Sequence, residues 1–265
     1  MNQGQTARRA TTLLGLGLAL AFATPARAQS DILEGAPTEA PSGQRYKSPQ
    51  LFAFELKFGP YRPDVDSEFA SSGPNARSPY KDFFGNGRHL MTQIEFDWQV
   101  FHKMGSLAVG AGIGYFSVTG TAPLGNGTGL PSGDSSGFKV VPFSLSAIYR
   151  FDYLLETRKI PLVPYGKLGL DYAYWQITDG NGDIAQDAMG NSGRGGTLGW
   201  HVAGGLALVL DFLDPDAARD FDADLGVNHT ALCFEYNHAD ISGLGASGRL
   251  HVGDTTWSLG VLLEF

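Results

Sequence analysis

Near its C-terminal end the chain reads "EYNHADISG", which brings Glu235, His238 and Ser242 into one short stretch. An acid, an imidazole and a hydroxyl are the parts of a hydrolytic set. The imidazole takes the hydroxyl proton, and the acid orients the imidazole. His238 and Ser242 lie four residues apart, with Ser242 already among loop residues, so such a set would have to assemble in space. The plainer reading makes His238 a polar residue at an interface. A second candidate is "DGNGD", Asp179–Asp183, which resembles the start of a calcium loop. Its sixth position is Ile184 instead of Gly and its twelfth is Gly190 instead of Glu, so a tight Asp/Asn/Gly turn is favoured. A third is "PYRPDVDSE", where Arg62 with Asp64, Asp66 and Glu68 can form a local ion-pair network. There the choice is between a surface-contact segment beside lipopolysaccharide and a rigid, Pro-fixed exit from a strand; the rigid exit is favoured. The six His have no ligand spacing, Cys233 is the only cysteine, and no Gly-rich phosphate loop opens a helix. No cofactor is implied.

The richer set of charges is spread through strand-like segments. Phe52, Phe54, Leu56 and Phe58 alternate with Ala53, Glu55 and Lys57; Ile94, Phe96, Trp98 and Val100 alternate with Gln93, Glu95, Asp97 and Gln99. The period of two returns in Val141 to Tyr149 and in Leu168 to Tyr174. Eight strands are predicted: Gln50–Tyr61, His89–Phe101, Ser106–Val118, Gly137–Phe151, Leu162–Ile177, Thr197–Phe212, His229–Ile241 and Thr255–Phe265. Long polar loops follow the odd strands, at Arg62–Arg88, Thr119–Ser136, Thr178–Gly196 and Ser242–Asp254, and short turns follow the second and fourth. The sixth is followed by Leu213–Asn228, which reads as a solvated helix with Asp214 as N-cap, Pro215 in the first turn and Gly226 at the end. Pro164 is tolerated near a strand start, whereas Pro142 calls for a bulge or a frayed ladder.

The other end of the chain bears on where these strands sit. Arg8 and Arg9 precede an apolar stretch from Leu13 to Ala23, which closes on Ala26-Arg27-Ala28; this is the layout of a cleaved secretory signal, too short to span a bilayer. The expected organisation is residues 1–28 as signal, 29–49 as a polar periplasmic leader and 50–265 as one domain. The whole chain has 19 Lys and Arg against 27 Asp and Glu. Residues 1–28 hold three Arg and no acid, which leaves 16 basic residues against 27 acids, a net of −11. Nucleic-acid binding, which needs a basic footprint, is excluded as a class. Thirty-six Gly and 12% aromatic residues suit a β chain with many turns.

Alternation alone does not separate a soluble sandwich from a membrane barrel, but three features do. The strands reach the 9–11 residues that cross a membrane. Aromatics gather near strand ends (Phe58, Tyr61, Trp98, Phe101, Tyr115, Tyr149, Phe151, Tyr174, Trp175, Trp200, Phe212, Tyr236 and Phe265), as in interfacial girdles. The face opposite the apolar one carries Glu55, Lys57, Glu95, Asp97, Arg150, Lys167, Asp171, Glu235 and Glu264, which fit a filled lumen. The third strand offers small inward residues, Ala108, Gly110, Gly112 and Gly114, as room for them. Acids outnumber cations, so some must reach His201, Gln93, Gln99 or rim water.

The chain ends "TTWSLGVLLEF", with Trp257, Leu259, Val261, Leu263 and Phe265 on one face. This pattern resembles the C-terminal assembly signal of Gram-negative outer-membrane barrels. "FGPYRPDVDSEF" (Phe58–Phe69) and the segment Phe212–Phe265 resemble a family of outer-membrane β-barrel proteins typical of myxobacteria and related lineages. That resemblance implies location and fold, and it supplies no catalytic residue. The reading is an all-β, eight-stranded antiparallel up-and-down transmembrane β-barrel with a short periplasmic helix, both mature termini being periplasmic. Expected partners are outer-membrane lipids, lipopolysaccharide and, during biogenesis, the barrel assembly machinery. The expected role is structural or surface-binding, neither enzyme nor large pore. The alternative is a lipid-modifying enzyme, lipid A deacylase-like, on Glu235, His238 and Ser242; in such a deacylase, however, His and Ser lie two apart on one face.

Overall fold

In the computed structural model, the described residues are 50–69, 78–123, 131–186 and 189–265. The expected signal and leader, residues 1–49, lie outside them, as do parts of the first three long loops. Eight strands run β1 Phe52–Tyr61, β2 His89–His102, β3 Ser106–Pro123, β4 Pro131–Arg150, β5 Leu162–Thr178, β6 Arg194–Val209, β7 His229–Asp240 and β8 Asp254–Glu264. Each pairs antiparallel with its neighbours in sequence order, and β8 pairs with β1, so the sheet is a closed barrel. The closing register runs from Ala53 opposite Glu264 to Phe58 opposite Leu259. Closure removes the free edge that hydrocarbon does not tolerate.

The surface is inside out. Phe96, Trp98, Leu145, Leu168, Leu170, Leu206 and Leu259 are exposed on the outer wall, while the alternate residues Glu55, Lys57, Asp97 and Arg150 are buried. A water-soluble barrel would expose the charges and bury the leucines, so this wall faces lipid. No helix among the described residues is long and apolar enough to cross a membrane.

Several boundaries differ from the sequence reading. The β3–β4 hairpin extends past Val118 and Gly137 to Pro123 and Pro131, because the Ser/Gly/Thr residues there pair as strand instead of looping. The sixth strand stops at Val209, short of Phe212. The turn after β4 contains α3, Tyr153–Arg158. The first long loop holds α1, Val65–Phe69, and α2, Pro79–Phe84. The last turn forms α4, Pro215–Leu225: the Asp214 side chain accepts from the Ala217 N–H, and Gly226 takes the left-handed conformation at φ 71°. Both match the caps read from sequence.

Pro142 needs no bulge. Toward β5 it pairs in register with Ala173. Toward β3 pairing lapses between Ile113–Phe143 and Phe116–Val140, and the register is unchanged. The bulge lies in β2, between Gln99 and Phe101, and leaves both Val100 and Phe101 on the outer wall.

Candidate functional site: the lumen and its loop-side closure

Alternation carries the charged residues of five strands into one layer at mid-barrel. Glu55 and Lys57 come from β1, Glu95 and Asp97 from β2, Arg150 from β4, Lys167 from β5 and Glu235 from β7. The Lys57 ammonium lies 3.2 Å from Glu55, 2.9 Å from Glu95 and 3.0 Å from Glu235. Lys167 Nζ meets the same three carboxylates, at 2.7, 2.5 and 3.2 Å. Arg150 Nη2 donates to Glu55 Oε1 at 2.7 Å and to Asp97 Oδ2. Every member is less than a tenth exposed. Three cations thus neutralise three of four carboxylates in a layer closed to bulk water, the condition under which buried charge is tolerated.

The glycine in β3 is what makes space. A Cβ on Gly110 would stand 2.4 Å from Asp97 Oδ1 and 2.8 Å from Glu95 Oε1. A methyl there would force both carboxylates out of their present positions.

The remaining charges named from sequence sit apart from this layer. Asp171 Oδ2 is 2.8 Å from His201 Nδ1, and His201 Nε2 is 3.2 Å from the Ser146 hydroxyl. Toward the turn end, Gln99 Nε2 donates to Glu264 at 3.4 Å and His102 Nε2 is 2.6 Å from Gln99 Oε1. So His201 and Gln99 serve two of the surplus acids.

Apolar residues fill the lumen above and below the charges, which the sequence reading did not foresee. At the loop end Tyr61, Met91, Phe116, Phe138, Val140 and Val252 form one buried cluster, joined by Val65 of α1 and Tyr80 of α2. At the turn end Ala53, Val163, Ala207, Val209, Ala231 and Leu262 form another. Cys233 lies buried in this cluster as a free thiol. Tyr61 and Trp175, expected among the girdle aromatics, both point inward. Tyr61 is on the Lys57 side of β1 and its hydroxyl donates to the Val252 carbonyl, and Trp175 is on the Asp171 side of β5 and donates to Thr197 Oγ1 at 3.3 Å. Period two decides the face, and nearness to a strand end does not.

The loop-side closure is pinned by polar contacts. The Arg62 N–H donates to Asp254 at 3.0 Å, and the Asp64 N–H donates to the Gly253 carbonyl at 3.0 Å. Arg62 Nη2 pairs with Asp66 at 2.8 Å, while Asp66 Oδ1 accepts from the Tyr80 N–H at 2.8 Å and so ties α1 to α2. Arg88 makes a two-pronged pair with Asp254, at 2.5 and 3.1 Å. Burial pushes the Tyr80 phenol up to about 12. The "PYRPDVDSE" stretch is therefore a fixed exit whose Arg62 and Asp66 hold a cap over the lumen. Gly120 of β3 lets that cap seat: a Cβ there would fall 2.0 Å from the Phe83 carbonyl oxygen of α2.

The other candidates separate. Glu235 is inside the barrel on Lys57, whereas His238 faces outward, with its Nδ1 2.7 Å from Thr255 Oγ1 and its ring edge-on to Trp200 at 5.6 Å. The wall stands between the acid and the imidazole, so the structure does not assemble the three-residue set. At "DGNGD", Asp179 Oδ1 accepts from the N–H groups of Asn181 and Asp183 at 3.0 Å each, and Gly182 takes φ 83°. That carboxylate is turned to its own backbone, as in an Asx turn, instead of to a cation. Among the described residues no group of three or more His, Cys, Asp or Glu is placed to hold a metal.

No family model matches the chain, and no curated protein matches it. Among solved structures it is similar to Neisserial surface protein A, at 15% identity over 81% of this chain and 97% of that one, TM-score 0.44. It is also similar to the outer membrane protein OprG from Pseudomonas aeruginosa, at 16% identity over 82% and 96%, TM-score 0.45. A third is Ail, the attachment invasion locus protein of Yersinia pestis, at 10% identity over 82% and 97%, TM-score 0.38. The assignment of this chain to the eight-stranded transmembrane barrels rests on its own strand pairing and its inverted surface.

Proposed function

We propose that the protein is a non-enzymatic outer-membrane barrel that presents a structured, sealed loop surface, with a structural or surface-binding role and no large pore. One observation carries this reading: the charged layer of Lys57, Lys167 and Arg150 with Glu55, Glu95, Asp97 and Glu235 lies between two apolar clusters that fill the lumen. Interior cavities are small, about 50 Å3 beneath the loop cap and about 10 Å3 at the turn end. An eight-stranded barrel has an interior only wide enough for side chains to fill. The exported layout of residues 1–28, the alternation from Trp257 to Phe265, and the resemblance of Phe58–Phe69 and Phe212–Phe265 to barrels typical of myxobacteria support the outer membrane as the location. On that reading both ends of the domain face the periplasm and the pinned loops face outward. Surface lipids, lipopolysaccharide among them, surround the wall, and the barrel assembly machinery handles the C-terminal strand.

The separation of Glu235 from His238 argues against the lipid-hydrolase alternative. Single-channel recording of the purified protein in a planar bilayer tests the sealed lumen. Rare, small events are expected, and a stable large conductance would overturn the reading.

A further inference from the structure

Helix α4 carries its apolar residues on one stripe. Ala217, Ala218, Phe221 and Leu225 recur at the spacing of a single helical face, while Asp216, Arg219 and Asp220 lie on the other and Asp222 and Asp224 flank the stripe. That stripe does not stand free. Its Ala217, Ala218 and Phe221, together with Leu210, Leu213, Val227 and Thr230, border an open groove of about 200 Å3. Leu210 and Thr230 follow and begin the strand ends of β6 and β7 and are held together by the Leu210 N–H to Thr230 carbonyl bond of 2.8 Å. They continue the outward rows of Leu206 and Leu208 and of Leu232 and Phe234, which belong to the lipid-facing wall. The apolar surface therefore passes from wall to groove to helix by way of Leu210, Leu213 and Phe221, with Asp211, Asp214 and Asn228 also lining the groove. The large side chains along it are left open: Phe212 is 55% exposed, Leu213 68%, Phe221 50% and Leu225 64%. A helix standing in water would hold such a surface against protein or would not have it.

We propose that α4 is an interfacial foot, lying in the turn-side leaflet with Phe212, Leu213, Phe221 and Leu225 at the headgroup–acyl boundary. The solvated helix expected from sequence is thereby replaced. The occupant of the groove follows from continuity, since the established lipid-facing wall runs directly into it. Charge then selects among lipids. Asp214, Asp216, Asp220, Asp222 and Asp224 face a single basic residue on the helix, Arg219, which is itself paired with Asp216 at 2.6 Å. Interfacial helices that seek anionic lipid carry Lys and Arg on their polar face. This helix has the reverse, and fits headgroups that present an ammonium, such as zwitterionic phosphatidylethanolamine or phosphatidylcholine.

The inference rests on the membrane-spanning reading of the barrel, so its test carries a separate check of insertion. The full barrel is reconstituted in phosphatidylcholine vesicles with single spin-labelled variants Phe221→Cys, Leu225→Cys, Arg219→Cys and Ala223→Cys, the native Cys233 being buried. Labels at 221 and 225 are expected to relax with dissolved oxygen and to be shielded from a water-soluble nickel chelate. Labels at 219 and 223 are expected to behave oppositely. A label on outward Leu170→Cys reports insertion of the barrel alone. If Leu170 is lipid-exposed while all four helix labels meet the chelate equally, the helix is solvated and the proposal falls. It falls also if positions 221 and 225 are shielded from both reagents, which marks a protein cover. Replacing half the lipid by phosphatidylglycerol should lower the oxygen-to-chelate ratio at 221 several-fold; an unchanged ratio removes the headgroup preference.

Discussion

Glu55 and Glu95 stand directly opposite one another on the paired strands β1 and β2, with their carboxylates on the same inward face. Like charges in that relation destabilise a sheet. Here the repulsion is turned into a bridge, because Lys57 and Lys167 each contact both carboxylates. The two lysines come from strands on different sides of the barrel, so the pair also ties β5 to β1 across the lumen.

Removing one cation should therefore leave buried carboxylate uncompensated. Lys167→Met or Arg150→Met is expected to destabilise the barrel by about 3–5 kcal/mol, the scale of losing one partner of a buried pair. The outward Leu170→Met should cost less than about 1.5 kcal/mol, as for other volume-conserving apolar changes. Urea unfolding in lipid vesicles, read by the gel mobility of unboiled samples, checks all three. Wild-type-like unfolding of the Lys167 and Arg150 variants would sink the account of the charged layer.

Gly110 gives an independent route to the same layer. Gly110→Val would press on Asp97 and Glu95 without removing any charge. Its midpoint should fall below that of Val109→Ala, whose change is confined to the lipid face. Equal midpoints would mean that the carboxylates can move aside.

The terminal strand predicts an assembly phenotype. Deleting Phe265, or Phe265→Asp, should lower the amount of folded, heat-modifiable barrel in the outer-membrane fraction while export continues. Unchanged folded yield for both variants would show that Trp257, Leu259, Val261, Leu263 and Phe265 are a strand face and nothing more.

Orientation is accessible on whole cells. An epitope inserted at Gly182, in the turn between β5 and β6, should bind antibody on intact cells. One inserted at Met104, between β2 and β3, should bind only after the membrane is opened. The reverse pattern inverts the topology.

The strands were legible because one chemical contrast, strongly apolar against small, polar or charged, repeats every second residue in β1, β2, β5 and β8. The α4 caps were legible because Asp214, Pro215 and Gly226 each act within a turn of their own position in the chain. What stayed hidden depends on contacts far apart in sequence. Val65 and Tyr80 lie in a loop with no period, and only the barrel mouth makes them core. The β3–β4 extension is built from Ser, Thr and Gly, which read as turn residues until a partner strand pairs with them. The face of Tyr61 follows from its parity, shared with Glu55 and Lys57, and not from its position near the end of β1. The parity of Glu235 and His238 was equally available and separates the supposed acid from its base.

The wall is of uneven height. Pairing between β3 and β4 runs from Ser106–Arg150 to Pro123–Pro131, whereas the closing seam runs only from the Phe52–Phe265 backbone bonds to Phe58–Leu259. Resistance to a mechanical load scales with the hydrogen bonds that must break together. Drawn out of a bilayer by its C-terminal end, the chain would therefore part at the short seam under low force and unzip hairpin by hairpin. The tall β3–β4 hairpin would give the highest force step, and so the firmest anchor in the membrane lies far from the end that is pulled.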